Sequence, residues 1–287
     1  MPSIVNSARA LLTLGRASNL PTVWSNCLAA QWAVGDVNPA NSFRLLLAAS
    51  LLYTSGMYLN DAFDQAFDRK FRPERPIPSG RVSPQVVWAL GFLMMGCGLI
   101  LLSPIGPLAL ALGALLSASI VLYDATHKHI SFGPLIMAAC RFILFLTAAS
   151  TGPTGLTGRA VWLATALAAY IVGLSYIAKT ENQPGLLRFW PCLLLSLPAV
   201  LALLLNDGPT LLPSMALLAV FVGWTLYALR LLFAKPYRNV PAAVSALLAG
   251  IVWVDLLSTA GTQPTLLLLL PAFFLLARAF QRWIPAT

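Results

Sequence analysis

The segment Y-L-N-D-A-F-D-Q-A-F-D-R-K-F-R-P-E-R-P-I-P-S-G-R spans residues 58–81 and holds four of the chain's nine acidic residues. Asp61, Asp64 and Asp68 follow one another at intervals of three and four residues, and Asn60 precedes Asp64 by four. Residues spaced in this way share one face of a helix, so their side chains can converge on one point. The segment therefore predicts a helix with several oxygen ligands on one face.

Oxygen ligands of this kind suit Mg²⁺, which takes one or two carboxylates and completes its shell with water and phosphate oxygens. Three prolines then end the helix and stiffen the loop. Within that loop the guanidinium groups of Arg72, Arg75 and Arg81 are suited to diphosphate oxygens. The combination predicts a Mg²⁺–diphosphate site. The alternative is a solvated loop in which the carboxylates pair with the neighbouring basic residues.

The rest of the chain has the composition of a membrane protein. It has 287 residues, of which 59% are hydrophobic and 9% charged, with a mean hydropathy of +0.80. A soluble domain carries about a quarter charged residues. The formal charge of +9 sits at the ends of apolar segments, where it sets topology and meets anionic lipid head groups, and this distribution argues against a nucleic-acid partner.

Ten apolar segments have the length of a membrane-spanning helix, about 20 residues. The ninth contains Asp255 and the tenth contains Pro271. We expect one transmembrane domain over residues 1–287 and no cleavable signal peptide in Met1–Ala10. The segments are 17–35, 43–60, 85–102, 105–123, 132–150, 159–178, 189–205, 211–233, 240–259 and 265–282.

The loops between these segments alternate in charge. Apart from Arg44, Arg159 and Arg141, all Lys and Arg residues lie at one set of segment ends. The positive-inside rule places that set in the cytoplasm, together with both termini if all ten segments span. The predicted active-site loops, 60–84, 124–131 and 179–188, belong to it. We therefore expect an integral protein of the bacterial inner membrane with a cytoplasmic site.

Two motifs resemble signatures of the UbiA superfamily of intramembrane prenyltransferases. The first is N-D-x-x-D-x-x-x-D at 60–68, followed by R-P-x-R-P-I-P-S-G-R-V-S at 72–83. The second is G-R-A-S-N-L-P-T-V-W-S-N at 15–26, which is similar to the start of that family's first helix, with polar positions at Arg16, Asn19 and Asn26. The resemblance implies an all-α bundle of nine transmembrane helices around a central cavity, to which a tenth C-terminal helix would be an addition.

The resemblance also implies a reaction, the Mg²⁺-dependent transfer of a prenyl group from an isoprenoid diphosphate to an aromatic or alicyclic small molecule within the membrane. The residues it points to fall into four groups. They are the metal ligands Asn60, Asp61, Asp64, Asp68 and Glu181; the diphosphate-binding residues Arg16, Arg72, Arg75, Tyr123, Lys128 and Lys179; the catalytic residues Asp61, Asp64, Lys128 and Arg141; and the acceptor-side residues Asn19, Asn26 and Asp124.

The chain departs from the family in its second aspartate motif. Where the family has D-x-x-x-D, residues 175–185 carry one carboxylate, Glu181, beside Lys179 and Asn182. A second Mg²⁺ held by two aspartates is not expected here, and Lys179 is an alternative partner for phosphate. The departure leaves a second function open: a non-catalytic protein, or one that transports or handles lipid, which has the same fold and binds a prenyl diphosphate.

Two further features bear on the acceptor. Asp124 is additional to the family's Tyr–Lys pattern at Tyr123 and Lys128, and is either a metal ligand or an acceptor-side base. Arg141 lies inside a segment, where an unpaired charge costs at least ~2.5 kcal/mol, so we expect it to meet an anion or carboxylate.

The string Y-D-x-x-H-K followed by M-A-x-C-R resembles the branch encoded in bacterial ebo gene clusters, which implies a polar alicyclic or aromatic acceptor. The histidines beside Lys128 are expected to be exposed.

Overall fold

The chain folds into an all-helical bundle. A computed structural model describes residues 4–35, 38–179, 189–206, 210–233, 238–259 and 264–286. Within those ranges the thirteen α-helices are α1 (Ile4–Leu14), α2 (Leu20–Ala33), α3 (Pro39–Phe63), α4 (Gln65–Phe71), α5 (Pro84–Leu102), α6 (Pro107–Thr126), α7 (Gly133–Ala149), α8 (Gly158–Lys179), α9 (Trp190–Leu195), α10 (Leu197–Leu205), α11 (Leu211–Phe233), α12 (Val240–Ser258) and α13 (Pro264–Phe280).

Each of the ten predicted segments is helical. Among the described helices, α5, α6, α8, α11 and α12 are long and apolar enough to cross a membrane, since a span needs about 20 apolar residues. The seventh segment is broken at Ser196 into α9 and α10, and Pro198 follows in the first turn of α10, where its ring is tolerated. The tenth segment forms α13, which continues through Pro271.

Helix starts follow local capping chemistry. The side chains of Asn38, Ser83 and Asn239 accept hydrogen bonds from the backbone N–H groups two or three residues ahead, at the starts of α3, α5 and α12. Each of these helices has proline at its first or second position. Capping satisfies N–H groups that the helix itself leaves unpaired, and proline there loses no bond.

Helices α2, α7, α8 and α12 pack against one another at the centre of the bundle. The core includes Phe145 of α7, Tyr170 of α8 and Leu247 of α12, all at most 1% exposed. Tyr170 donates a hydrogen bond to the Leu247 carbonyl at 2.9 Å, which satisfies its buried hydroxyl. Helices α5, α6 and α11 are more peripheral and present apolar side chains such as Phe92, Leu115 and Leu226 outward, as lipid-facing helices do.

Helix α3 is held closely against α5. Ser55 donates to the Gly91 carbonyl at 2.8 Å, and a Cβ added at Gly91 would meet Leu59 Cγ at 2.9 Å. Small residues permit this close approach of helices. The packing fixes the end of α3, which carries Asn60 and Asp61.

Candidate active site

The acidic segment is helical, but it is divided into two helices at Asp64. Helix α3 ends at Phe63, Asp64 follows, and α4 begins at Gln65. The end of α3 and the single residue between the helices therefore bring the polar side chains together. Asn60, Asp61, Asp64 and Asp68 are all buried, each less than 9% exposed. Buried carboxylates require partners, and their partners come from three other parts of the chain.

Arg75 joins two of these carboxylates. Its Nη1 lies 3.2 Å from Asp61 Oδ1 and 2.9 Å from Asp68 Oδ2. The loop that carries it is anchored by Ile77, which packs with Leu14 and Tyr58 in a small buried cluster. One cation therefore bridges Asp61 and Asp68, while the other oxygen of Asp68 is buried without a hydrogen-bond partner.

Lys128 neutralises the third carboxylate. Its Nζ lies 2.8 Å from Asp64 Oδ1 and 3.7 Å from the centre of the Phe67 ring. His127 Nε2 lies 3.7 Å from the same Asp64 oxygen. Burial raises the pKa of Asp64, but the hydrogen bonds and charge of His127 and Lys128 outweigh burial, and the pKa lies below its ordinary value. Asp64 is thus held as a carboxylate.

The expectation that His127 is exposed is wrong. Its side chain is 17% exposed and its ring stacks on Tyr123 with centroids 4.8 Å apart. The cause is the C-terminal turn of α6, in which His127 Nδ1 lies 3.1 Å from the Tyr123 carbonyl and the ring turns inward. His129, two residues further, is exposed as expected.

Arg16 approaches the acidic segment from the N-terminal part of the chain. Its Nη2 lies 3.7 Å from Asp61 Oδ1 and 3.4 Å from Asn60 Oδ1. It has a φ of 41°, the left-handed region, in which non-glycine residues are uncommon. Tyr53 donates to its carbonyl at 3.4 Å. Strained residues of this kind persist where the surrounding structure holds them, often at functional sites.

Asn60 connects the acidic segment to Asp124. Asn60 Nδ2 donates to Asp124 Oδ1 at 3.0 Å, and the second carboxylate oxygen of Asp124 is buried without a partner. Asp124 therefore lies beside the predicted metal ligands, in the last turn of α6.

The other residues predicted to bind diphosphate or metal do not all lie at the acidic segment. Arg72, at the end of α4, is half-buried, and its N–H donates to the Asp68 carbonyl at 2.8 Å. Lys179 donates to the carbonyls of Ile130 and Ser131, at 3.4 Å each, so it lies against the loop of Lys128; no ion pair joins it to the acidic segment among the described residues. Glu181 lies outside the described residues.

Three other predicted site residues have their contacts away from the acidic segment. They are Asn19, Asn26 and Arg141. Asn19 donates to the Ala286 carbonyl at 2.9 Å, so the C-terminal segment covers the start of α2. Arg141 does not contact the acidic segment. It bonds to Thr22 and Asn26 of α2, and Asn26 in turn bonds to Asp255.

The oxygen donors fit a hard cation bound by two carboxylates. Asp61 and Asp68 already meet at one positive group, and Asp68 keeps a buried oxygen free. No set of three or more His, Cys, Asp or Glu side chains within the described ranges encloses a metal position. Mg²⁺ needs only one or two carboxylates when phosphate and water supply the rest.

The model of the UbiA prenyltransferase family matches residues 18–185. The chain belongs to the UbiA prenyltransferase family. The match covers α2 to α8 and includes the acidic segment, Arg75 and Lys128, while Arg16 lies just before it.

Two relatives illustrate the range of the family. The digeranylgeranylglyceryl phosphate synthase of Ignicoccus hospitalis is 35% identical over 120 residues, covering 42% of this chain and 39% of that protein. The 4-hydroxybenzoate octaprenyltransferase of Azotobacter vinelandii is 28% identical over 174 residues, covering 58% of this chain and 56% of that protein. The chain thus matches about half the length, or less, of these relatives.

Solved structures share the fold. A UbiA homologue from Aeropyrum pernix superposes with a TM-score of 0.60 at 19% identity, covering 84% of this chain and 96% of that one. A UbiA homologue from Archaeoglobus fulgidus, bound to GPP and Mg²⁺, superposes with a TM-score of 0.54 at 13% identity, covering 96% and 97%. The predicted UbiA-type bundle is confirmed.

Proposed function

We propose that this protein transfers a prenyl group from a Mg²⁺-bound isoprenoid diphosphate to a small aromatic or alicyclic acceptor. The observation that carries the proposal is the pairing of Asp61 and Asp68 with Arg75, and of Asp64 with Lys128, at one end of the bundle. The names of the relatives, an octaprenyltransferase and a digeranylgeranylglyceryl phosphate synthase, support it, as does the homologue bound to GPP and Mg²⁺.

In this proposal the acidic residues would hold the donor through a metal ion. Asp61 and Asp68 would be the carboxylate ligands, with Asn60 and Asp64 at their sides. Bound Mg²⁺ supplies a positive charge that stabilises the negative charge developing on the leaving diphosphate. The residues that neutralise the carboxylates, chiefly Arg16, Arg75 and Lys128, would then be available to bind phosphate oxygens, with Arg72 and Tyr123 nearby.

The transfer exchanges one bond for another. The bond between C1 of the prenyl group and the bridging diphosphate oxygen breaks, and its electron pair remains with the diphosphate. A nucleophilic atom of the acceptor supplies the pair for the new bond to C1, and the proton it loses passes to the departing diphosphate. The apolar helices keep water away from the prenyl cation.

The acceptor approaches from the side of Asn26 and Asp124, with Asn19 at the edge of that region. Lys179 and Glu181 are auxiliary to the donor site, because Lys179 lies against the loop of Lys128. In this proposal the site faces the cytoplasm of a bacterial inner membrane, since the loops that carry it lie on the side that holds 15 of the 18 Lys and Arg residues.

The test is release of diphosphate from geranyl diphosphate by the purified protein in liposomes, with Mg²⁺ and a panel of phenolic acceptors. We expect acceptor-dependent release that stops with EDTA. Donor binding without release under any condition would contradict transfer and favour the non-catalytic function. The Arg44→Gln variant, altered at the opposite end of α3 and outside the site, serves as the matched control.

A further inference from the structure

A second polar cluster lies within the bundle, apart from the acidic segment. It consists of Thr22, Ser25 and Asn26 of α2, Arg141 of α7 and Asp255 of α12. Thr22, Ser25 and Asn26 are fully buried, and Asp255 is 1% exposed. Ionisable residues at such positions are costly and mark functional sites more often than structural ones.

A single amide group couples the two charges of the cluster. Asn26 Oδ1 accepts from Arg141 Nη1 at 2.7 Å, and Asn26 Nδ2 donates to the two Asp255 oxygens at 2.9 and 2.7 Å. Ser25 also donates to Asp255. A guanidinium and a carboxyl group therefore lie on either side of one amide, and with Asp255 ionised their charges cancel.

One edge of the Arg141 guanidinium remains available. Nη1 donates to Asn26 Oδ1 and to the Thr22 carbonyl, and Nη2 donates to Thr22 Oγ1 at 3.2 Å. The structure gives Nε and the second N–H of Nη2 no hydrogen-bond partner within its described residues. These two N–H groups lie on the same edge of the planar guanidinium and point the same way, as a fork for two oxygens.

Arg141 is buried, but less completely than its neighbours. Arg141 keeps 9% of its surface exposed although its neighbours Thr22 and Asn26 keep none. Tyr53 packs beside it, with the ring centre 5.7 Å from Arg141 Cζ, and the same tyrosine bonds to the Arg16 carbonyl. Tyr53 thus links the fork to the basic residue that contacts Asp61.

We propose that this fork of Arg141 binds the head group of the acceptor, an uncharged ring that carries two adjacent hydroxyl groups. Two neighbouring oxygens match the two parallel N–H groups. Because Asp255 already balances Arg141, an anionic head group would leave an excess negative charge inside the bundle, which is unfavourable. The inference rests on the proposed function, since it names the acceptor class of that reaction.

Three phenols of similar size test the acceptor class. Catechol has two adjacent hydroxyls and no charge, phenol lacks the second hydroxyl, and 4-hydroxybenzoate carries a carboxylate. With geranyl diphosphate and Mg²⁺ in liposomes, we expect transfer to catechol with a kcat/KM on the order of tenfold or more above the other two. A preference for 4-hydroxybenzoate, equal use of all three, or no transfer to catechol by protein that binds the donor would overturn the proposal.

A double variant separates recognition from folding. Arg141→Gln alone leaves Asp255 as an uncompensated buried charge and is expected to destabilise the bundle. Arg141→Gln combined with Asp255→Asn removes both charges together. We expect this double variant to fold and to bind geranyl diphosphate with unchanged Kd, while its KM for catechol rises about tenfold or more. An unchanged KM for catechol would show a purely structural cluster and overturn the proposal.

Arg44→Gln is the matched control. Arg44 lies near the start of α3, at the opposite end of that helix from Asn60 and Asp61, and donates to Asn41 Oδ1 at 3.2 Å. Its substitution should leave KM and Kd unchanged. If the wild-type protein itself fails to bind geranyl diphosphate, the proposed function fails, which is a different result from donor binding with the wrong acceptor preference.

Discussion

Lys128 Nζ lies 2.8 Å from Asp64 Oδ1, although the two residues belong to different loops. The contact joins the end of α3 to the turn after α6, and it exists only when both helices are packed. Charge-assisted hydrogen bonds of this kind contribute about 1.5–3 kcal/mol. The same lysine lies beside the aspartates proposed to bind the metal, so in the proposed function it is also available to a diphosphate oxygen.

Replacement of Lys128 tests that dual role. We expect Lys128→Met to weaken geranyl diphosphate binding on the order of tenfold or more, because one charge-assisted bond to phosphate is lost. Lys128→Arg should retain part of the affinity. Calorimetric titration in detergent measures the effect, with exposed His129→Ala as the control from the same loop; equal Kd for Lys128→Met and wild type would remove Lys128 from the site.

Arg75 is predicted to stabilise the donor-free protein. Arg75→Gln removes the cation between Asp61 and Asp68 and leaves two buried carboxylates facing each other, so the melting temperature should fall by an amount corresponding to roughly 1–3 kcal/mol. Added Mg²⁺ should recover part of that loss, because the metal replaces the missing charge. Exposed Arg81→Gln is the matched control, and a melting temperature equal to that of wild type for both variants would contradict the bridging role.

The approach of α8 to α9 can be tested at a glycine. A Cβ at Gly173 would lie 2.6 Å from the Pro191 carbonyl oxygen, a backbone atom that cannot rotate away. Gly173→Ala should therefore destabilise the protein by about 1–3 kcal/mol through overpacking. Gly223→Ala in α11 meets nothing within 4 Å and should be neutral or stabilising, since alanine favours helix. Thermal unfolding of the two variants side by side decides the point.

Glu181 is predicted to be auxiliary. Glu181→Ala should weaken Mg²⁺-dependent donor binding less than Asp61→Ala does, because one carboxylate beside Lys179 is a poor match for a two-aspartate metal site. Titration of the donor at several Mg²⁺ concentrations compares the two. An equally complete loss in both variants would show that the 175–185 region binds an essential second metal ion.

Much of the fold follows from the sequence because lipid imposes one requirement, an apolar helix of about 20 residues. All ten predicted segments are helical, and the loop 61–84 contains α4 and the turn that carries Arg75. Two features escaped prediction. Helix α1 has only 11 residues and mixes polar with apolar side chains, so it does not show the long apolar run of a membrane span. The break between α9 and α10 depends on how Pro191 and Pro198 pack, which the apolar run does not reveal.

Part of the site could also be predicted, because helical spacing decides which side chains share a face. The intervals between Asp61, Asp64 and Asp68 can be read from the sequence, and they place these residues on one face. Which cation meets which carboxylate depends on packing between distant helices, so the pairing of Asp64 with Lys128 could not be read from spacing. The link from Arg141 through Asn26 to Asp255 joins three helices, and only the cost of a buried Arg141 hinted at it.

The most direct test of the donor site is binding of geranyl diphosphate to the purified protein with Mg²⁺ and with EDTA, for wild type and for Asp61→Ala. We predict binding to wild type that requires Mg²⁺ and is lost in Asp61→Ala, while the variant keeps its fold by circular dichroism. Equal binding by the folded variant, or binding to wild type that EDTA leaves unchanged, would contradict a metal-bound diphosphate at these aspartates.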